Sequence, residues 1–419
     1  MPDNIPSRPL EGLRILDFTR VLAGPLATAL LADLGAEVIK VEPPQGDDYR
    51  AIGPMRNGQS ALFTVMNRNK KSLVLDLKRA EAGVLIHGLT AHCDVVIENF
   101  RPGVAERLGI GAAALRAINP RLVYVSVSGF GQTGPYAHRP AYDVIVQAMS
   151  GIMEATGDPD GPPTLVGEAM SDVVAGLFAS WATLAAVHQT TRTGQGQHVD
   201  VAMFDTTLSF LATSASRYLF TGQPARRVGN RHPLSAPFGV YRAQDGHFAL
   251  AVLNLKLFAA LANAIGRPEL GQDDSLATDE QRSAREPELR AAIEAWAAQH
   301  TVEAVVQQIE AAGVPVAPIW NIEQALNSPQ AQARELLQPV DDARLPGLHL
   351  PTQPVRFGGA APSRATRAPA LGEHTNDILT SLLGCGMEKL SELRSAGVFG
   401  EHPAAASSAS TTAVLKEQA

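Results

Sequence analysis

Between Leu13 and Ser128, short apolar runs alternate with longer stretches of helical spacing, and this alternation limits the possible folds more than any other feature of the chain. Leu13–Phe18 (LRILDF) is the first run. Gly24–Leu34 follows with the spacing of a helix, opened by Gly24-Pro25 and closed by Gly35. Glu37–Val41 and Ser72–Leu77 read as strands, and Arg79–Thr90 as a helix. Asp94–Ile97 and Arg121–Ser128 read as two further strands, the second bounded by Asn119-Pro120 and Gly129. Strands separated by helices of about ten residues or more cannot pair as hairpins; they form a parallel sheet with helices on its faces. Each crossover is then right-handed. The expectation is an α/β fold with a Rossmann-like large domain. Helices over Tyr142–Glu154 and Met170–Thr191 and a strand over Gln197–Val201 extend it.

The pattern breaks at Thr221–Pro237 (TGQPARRVGNRHPLSAP), where Pro, Gly and Arg crowd a stretch that reads as a linker or loop. Beyond it, Phe238–Tyr241 and His247–Val252 predict a hairpin turned by Gln244-Asp245-Gly246. Helices at Leu255–Ile265, Glu286–Gln299 and Val302–Ala312 and a strand at Val314–Pro318 make this a smaller α+β unit. From about 340 to 375 repeated prolines and weak periodicity point to an extended return segment. The Ala/Ser/Thr-rich end from His402 reads as a disordered tail. The expected division is 1–224 for the large domain, 225–335 for the small domain, 336–400 for the return segment and 401–419 for the tail.

Several function classes lose support. The net charge is −7, whereas a nucleic-acid binder would show a basic excess. Two cysteines, Cys93 and Cys385, cannot build a disulfide framework or a Cys-based metal cluster. No two histidines have metal-ligand spacing on one helix face. The first strand is followed by Thr19-Arg20-Val21-Leu22-Ala23-Gly24-Pro25, not by G-x-G-x-x-G; Walker and G-x-S-x-G motifs are absent as well. The N-terminus lacks the apolar core of a signal peptide. The apolar stretch Val173–Val187 falls short of the roughly 20 residues a bilayer span needs. A soluble cytoplasmic protein is expected. Only 18% of residues are charged, below the ~25% of soluble chains, which suggests that much surface is buried in interfaces.

Ligands of parallel sheets bind beyond the carboxyl ends of the strands, which singles out three places. Arg20 follows the first strand. Asn67-Arg68-Asn69-Lys70-Lys71 precedes another and reads by itself more readily as a solvated loop than as a phosphate grip. Glu98-Asn99-Phe100-Arg101-Pro102-Gly103 closes a strand and opens a helix, with Arg107 two turns on; it suits an adenine and phosphate site, or merely a capping turn. Asp172, in Ser171-Asp172-Val173-Val174-Ala175-Gly176, stands at the mouth of a strongly apolar helix. It is either an N-terminal cap or a nucleophile or base against apolar walls.

Taken together, the chain resembles the class III coenzyme A transferases, the family of formyl-CoA and carnitine CoA-transferases. The segments that carry the resemblance are PLEGLRILDFTRVLAGPLATALLADLGAEVIKVEPP, NRNKKS (67–72), ENFRPG (98–103), NPRLVYVSVSGFGQTGP (119–135), SDVVAG (171–176), TGQGQHVDVAM (193–203), GNRHPLSAP (229–237) and LGEHT (371–375), across about residues 8–385. The resemblance implies that Asp172 is the nucleophile. It implies CoA-binding positions at Val21, Leu22, Ala23, Asn67, Arg68, Asn69, Lys70, Asn99, Phe100, Arg101 and Arg107, and at Arg139 to Tyr142. It also implies a homodimer of interlocked rings, with coenzyme A as a substrate, no tightly bound cofactor and no metal. Pro43 stands where several relatives have a nucleotide-contacting arginine. Gly229–Pro237 lacks the glycine run of oxalate-using members, which argues against oxalate or formate. The related acyl-CoA racemases carry a histidine where this chain has Tyr142, and a phenol is a poor base at neutral pH. A transferase is therefore expected over a racemase or a non-catalytic CoA-binding paralogue. The pattern looks most like members that move CoA from succinyl-CoA to dicarboxylates such as glutarate, itaconate, malate or citramalate. Arg231, His232 and Arg20 are the candidates for holding a second carboxylate, with an interface ion pair as the other role open to Arg231.

Overall fold

The computed structural model describes residues 8–358 and 364–400; the expected tail at 401–419 lies outside them. Six strands form one sheet: β1 (Arg14–Asp17), β2 (Glu37–Glu42), β3 (Lys71–Val74), β4 (Val95–Glu98), β5 (Val123–Ser128) and β6 (His198–Ala202). Their order is β3-β2-β1-β4-β5-β6 and every neighbouring pair is parallel. A strand covered on both faces reads as a continuous apolar run, because neither side of its pleat meets water. Ile15, Leu16, Val95, Val96 and Val125 are fully buried accordingly. The strand order reverses between β1 and β4, and that reversal opens a crevice at their carboxyl ends.

The chain divides into two compact units. Of the described residues, the first takes 8–142, 171–206 and those from 337 to 400. Its core joins Leu16, Ile39, Leu73, Val96 and Tyr124 of the sheet layer and Ile86 of the helix Ala80–Thr90 to Ile378, Leu379, Leu390 and Leu393 of the C-terminal helices Thr375–Leu383 and Met387–Ser395. The return segment also covers an edge. Ser72 N–H donates to His374 Nδ1 (3.2 Å) and Val74 N–H to Thr375 Oγ1 (3.1 Å), so β3 offers no open row of donors there.

The second unit comprises 143–170 and 207–336. It holds a three-stranded antiparallel sheet of β7 (Phe238–Arg242), β8 (His247–Ala251) and β9 (Val316–Pro318). Phe248, Phe258, Leu261, Ile293, Val305 and Ile309 fill the core beside it. The unit is larger than the Pro/Gly break suggests, because that stretch docks instead of linking. Gly229 N–H donates to Gly157 O (3.0 Å), Arg227 Nε donates to Asp158 O (3.2 Å), and Arg227 pairs with Glu154 (2.8 Å). The helix expected over Tyr142–Glu154 is two, Asp143–Ser150 and Ile152–Ala155, parted at Gly151 with φ of 90°.

The apolar helix extends beyond its apolar run, from Met170 to Thr193. The expectation that it is too short for a bilayer does not hold. The helix is 24 residues long with a mean hydropathy of 1.5 over its most apolar 18-residue stretch, so by length and composition it is long and apolar enough to cross one. Here it packs in the first unit, with Ser171, Ala175, Gly176, Ala179 and Thr183 buried.

Candidate active site

The loops after β1 and β4 meet at the strand-order reversal and hold each other. Asn99 Oδ1 accepts from Arg20 N–H (3.0 Å) and Asn99 Nδ2 donates to Arg20 O (2.7 Å). A single side chain thus satisfies both backbone groups of one residue in the facing loop. Arg20, Val21, Leu22 and Ala23 from the first loop and Asn99 and Arg101 from the second line one cavity of about 170 Å³. That is well below the roughly 300–1,000 Å³ of sites that enclose a whole ligand, so it suits the reacting end of a long one.

Helix α1 (Ala23–Asp33) starts in this wall, and its N-cap, Leu22, makes no side-chain capping bond. Among the described residues, the N–H groups of Leu22 and Ala23 donate to no protein acceptor. The first N–H groups of a helix carry partial positive charge and seek an anion.

Asp172 supplies the facing carboxylate. It lies in the first turn of helix α2 (Met170–Thr193), is half-buried, and lines the same cavity. Gly176, one turn on, explains how the two helices come so close. A Cβ there would sit 2.8 Å from the Ala23 carbonyl oxygen and 3.2 Å from Leu26 Cδ2, nearer than side-chain carbons approach backbone. Only glycine lets α2 rest on the start of α1. The spacing D-x-x-x-G then sets Asp172 one helical turn from that contact.

Tyr142 and Ala141 form another side of the cavity, against Ser128, Gly129 and Met203. Gly129 is required for the same reason, since a Cβ on it would fall 2.3 Å from Ala141 Cβ. Tyr142 is 72% exposed.

Beneath the first loop lies a buried ionic network. Asp17 Oδ1 accepts from Thr19 N–H (2.8 Å), Lys40 Nζ donates to Thr19 O (2.7 Å), and Lys40 pairs with Asp47 (2.7 Å). Burial alone would lower the Lys40 ammonium, but Asp47, Asp17 and Glu42 outweigh it and hold the pKa above its ordinary value. Lys70 pairs with Asp17 at 3.1 Å, and there burial dominates, lowering its pKa to about 8.

This network is where the basic patch goes. Lys70 Nζ also donates to Pro25 O (3.0 Å) and Asn67 Oδ1 (3.0 Å). Arg68 clasps Asp33 with Nε (3.1 Å) and Nη2 (2.6 Å), and Asn69 Nδ2 donates to the same carboxylate (2.7 Å). Asn67, Arg68 and Lys70 are buried and do not line the cavity. Heads so enclosed and so paired cannot grip a phosphate directly; they support the loops that line the site. Phe100 packs against the core of the first unit. Arg107 is exposed, with Nη1 3.3 Å from where a Gly103 Cβ would be, and Arg139 stacks on Tyr136 at 4.0 Å; neither lines the cavity.

Arg231 and His232 belong to the second unit. Arg231 donates from Nε to Val228 O (3.2 Å), approaches Glu286 at 3.6 Å, and lines a separate cavity of about 410 Å³ with Arg217 and Arg226. His232 stacks on Phe238 with ring centroids 4.7 Å apart, and its Nδ1 accepts from Leu234 N–H (3.2 Å). Those bonds commit the imidazole to shaping its loop.

Glu98, at the end of β4, is buried and accepts from Phe100 N–H (2.7 Å). Burial pushes its pKa up to about 7, although the bonds from Ser126 and Phe100 oppose this. The folded protein therefore holds a proton on Glu98 that the unfolded chain has lost, between the ordinary carboxylate range and about 7. Stability falls as pH rises through that window, and the ionised form costs about 3 kcal/mol above it. Glu98→Gln keeps an acceptor for Phe100 without the charge. It is expected to raise the thermal midpoint at pH 8 and leave it nearly unchanged at pH 4.5, as scanning calorimetry would show.

The model for "CoA-transferase family III" matches residues 10–375. The chain belongs to CoA-transferase family III. It is 45% identical over 371 residues to the acetyl-CoA:oxalate CoA-transferase of Acetobacter aceti, covering 88% of this chain and 94% of that one. It is 38% identical over 402 residues to the succinyl-CoA--D-citramalate CoA-transferase of Chloroflexus aurantiacus, covering 95% and 100%. A solved CAIB/BAIF family protein from Brucella suis superposes with a TM-score of 0.79 at 38% identity, over 90% of this chain and all of that one. The chain is thus an enzyme of this family, and CoA is its substrate.

Sequence reasoning missed Asp48, which lines this cavity, and Lys40 and Asp47, which pair beneath its first loop. One signal was available: Lys40 interrupts the otherwise apolar core of EVIKVE, and a charge inside a buried strand needs a partner.

Proposed function

We propose that this CoA-transferase moves CoA from an acyl-CoA, with succinyl-CoA the first choice, to a dicarboxylic acid through covalent intermediates on Asp172. The observation that supports it is the pairing, in one cavity, of a half-buried carboxylate with a helix start whose N–H groups are unpartnered. A carboxylate is a weak nucleophile in water, and partial desolvation against apolar walls activates it. An Asp172 oxygen attacks the thioester carbonyl, the C–S bond breaks, and a mixed anhydride and CoA thiolate result. The thiolate then attacks the Asp172 carbonyl carbon, releasing the donor acid and leaving an aspartyl-CoA thioester. The acceptor carboxylate attacks that thioester, and the freed thiolate takes the acyl group from the second anhydride, restoring Asp172. Each addition passes through an oxyanion, which the N–H groups of Leu22 and Ala23 would stabilise. Arg20 and Arg101 would hold the anionic parts of CoA at the rim.

The relative named for oxalate is 45% identical over 371 residues and the one named for citramalate 38% over 402, so oxalate stays among the acids despite the missing glycine run. A screen of monocarboxylic and dicarboxylic acids, oxalate included, against succinyl-CoA and acetyl-CoA, read by mass spectrometry of the CoA esters, decides the pair. A preference for monocarboxylates with both donors would overturn the dicarboxylate reading.

A cytoplasmic homodimer is part of the same proposal. In the first unit Leu177, Phe178 and Trp181 are exposed, Trp181 at 66%. In the second, Phe210, Tyr218, Leu219 and Phe220 are exposed, Phe220 at 90%. Such apolar patches mark interaction surfaces. Light scattering on the eluting protein should give twice the chain mass, and Phe220→Glu should lower that mass or leave the protein insoluble. A soluble wild-type monomer would refute the dimer.

A further inference from the structure

Val21 carries an anomaly in the cavity wall. Its φ is 70°, in the left-handed region that β-branched residues avoid because Cβ crowds the backbone. Such a conformation persists only where its surroundings over-determine it. Here they do so from beneath. Asp47 Oδ1 accepts from Val21 N–H (3.2 Å) and from Tyr49 N–H (2.9 Å). Its other oxygen meets Lys40 Nζ at 2.7 Å, and that ammonium donates to Thr19 O at 2.7 Å. The two side chains are 1% exposed each. One buried ion pair therefore pins both ends of Thr19-Arg20-Val21, while Asn99 pins the middle.

We infer that Lys40 and Asp47 are positioning residues for CoA transfer. They hold Val21 in its left-handed conformation and so fix the N–H groups of Leu22 and Ala23 opposite Asp172. Neither side chain lines the cavity, so neither can act on the substrate itself. A buried ion pair is a poor source of stability compared with apolar packing of the same volume; here it bonds both ends of Thr19-Arg20-Val21 and so sets their geometry. The position next to the cavity wall gives that geometry a use. The inference rests on the proposal that this cavity is the transfer site.

A double-mutant cycle tests it. Asp47→Asn places an amide, which has no negative charge, against the Lys40 ammonium, so the clamp loosens. Glycine accepts positive φ without strain, so Val21→Gly removes the need for a clamp. In the native Val21 background, Asp47→Asn is expected to lower kcat about tenfold or more, with KM for the acyl-CoA changed less than about threefold, as for an interaction realised in the transition state. In the Val21→Gly background the same change should lower kcat by no more than about threefold, since coupled residues are non-additive. Equal losses in both backgrounds, or no loss in the first, would overturn the assignment and leave the pair as support for the fold alone. If Asp47→Asn does not accumulate as folded protein, Lys40→Met takes its place in the same cycle. The site itself is checked separately with Asp172→Ala. Transfer surviving that change would remove the cavity from the reaction, whereas an inactive Asp172→Ala with an additive cycle would fail the clamp only.

Discussion

Asp172→Ala is expected to reduce CoA transfer by at least roughly three orders of magnitude, the usual cost of losing a nucleophile. Binding of acyl-CoA should stay within a few fold, because the loops that would contact CoA are held by other groups: Arg20 by Asn99, Val21 by Asp47, and Thr19 by Asp17 and Lys40. Alanine is also well tolerated in a helix, so the first turn of α2 and the contact at Gly176 should survive. Isothermal titration separates binding from turnover. Residual transfer above about a tenth of wild type would not fit a nucleophile. The intermediates give an independent reading. After mixing with acyl-CoA alone, hydroxylamine or borohydride should mark a peptide containing Asp172. An adduct on another peptide, or none under any condition, would point to direct transfer between bound substrates.

The sheet was legible because buried parallel strands leave continuous apolar runs: LRILD, EVIKV and RLVYVSVS announce themselves by composition and by the glycines and prolines around them. Most of the helices of ten residues or more were legible too, to within a few residues, but Ala212–Thr221 was not. Short ones such as Ala61–Met66, Ala112–Ile118 and Asp279–Ala284 were not expected, although Ser60 and Thr278 cap two of them. With fewer than three turns, such a segment shows too little of its period to stand out.

The site was legible where motifs carry it and opaque where charge partners are remote. NRNKKS looks on paper like a basic surface. Its Arg68 finds Asp33 across 35 residues and its Lys70 finds Asp17 across 53, and no local pattern announces either meeting. Lys40 and Asp47 are only seven positions apart, yet the ion pair matters through Val21, whose left-handed backbone no propensity would suggest. Gly176 was visible in SDVVAG, but its reason, the carbonyl of Ala23 at 2.8 Å, exists only in three dimensions.

Arg231→Gln should separate acids by their charge. The motive is the cavity that Arg231 lines together with Arg217 and Arg226, three guanidinium groups with no acidic side chain among the residues lining it. Glu286 approaches Arg231 only at 3.6 Å, and the Arg231 side chain is 40% exposed, so that ion pair is weak and leaves the head able to take a ligand. An arginine holds a carboxylate with two parallel N–H···O bonds, a geometry that glutamine cannot reproduce. A charge-assisted hydrogen bond contributes about 1.5–3 kcal/mol, which at about 1.4 kcal/mol per decade is a loss of roughly 10- to 150-fold in kcat/KM. That loss should appear with succinate or glutarate and be nearly absent with butyrate or valerate, which lack the second charge. Equal losses on both would give Arg231 a role in the fold or in holding CoA. Because Arg231 also donates to Val228 O, a structural change would show as a lower thermal midpoint. An unchanged midpoint with a selective loss on the dicarboxylates is the result that assigns Arg231 to the second carboxylate.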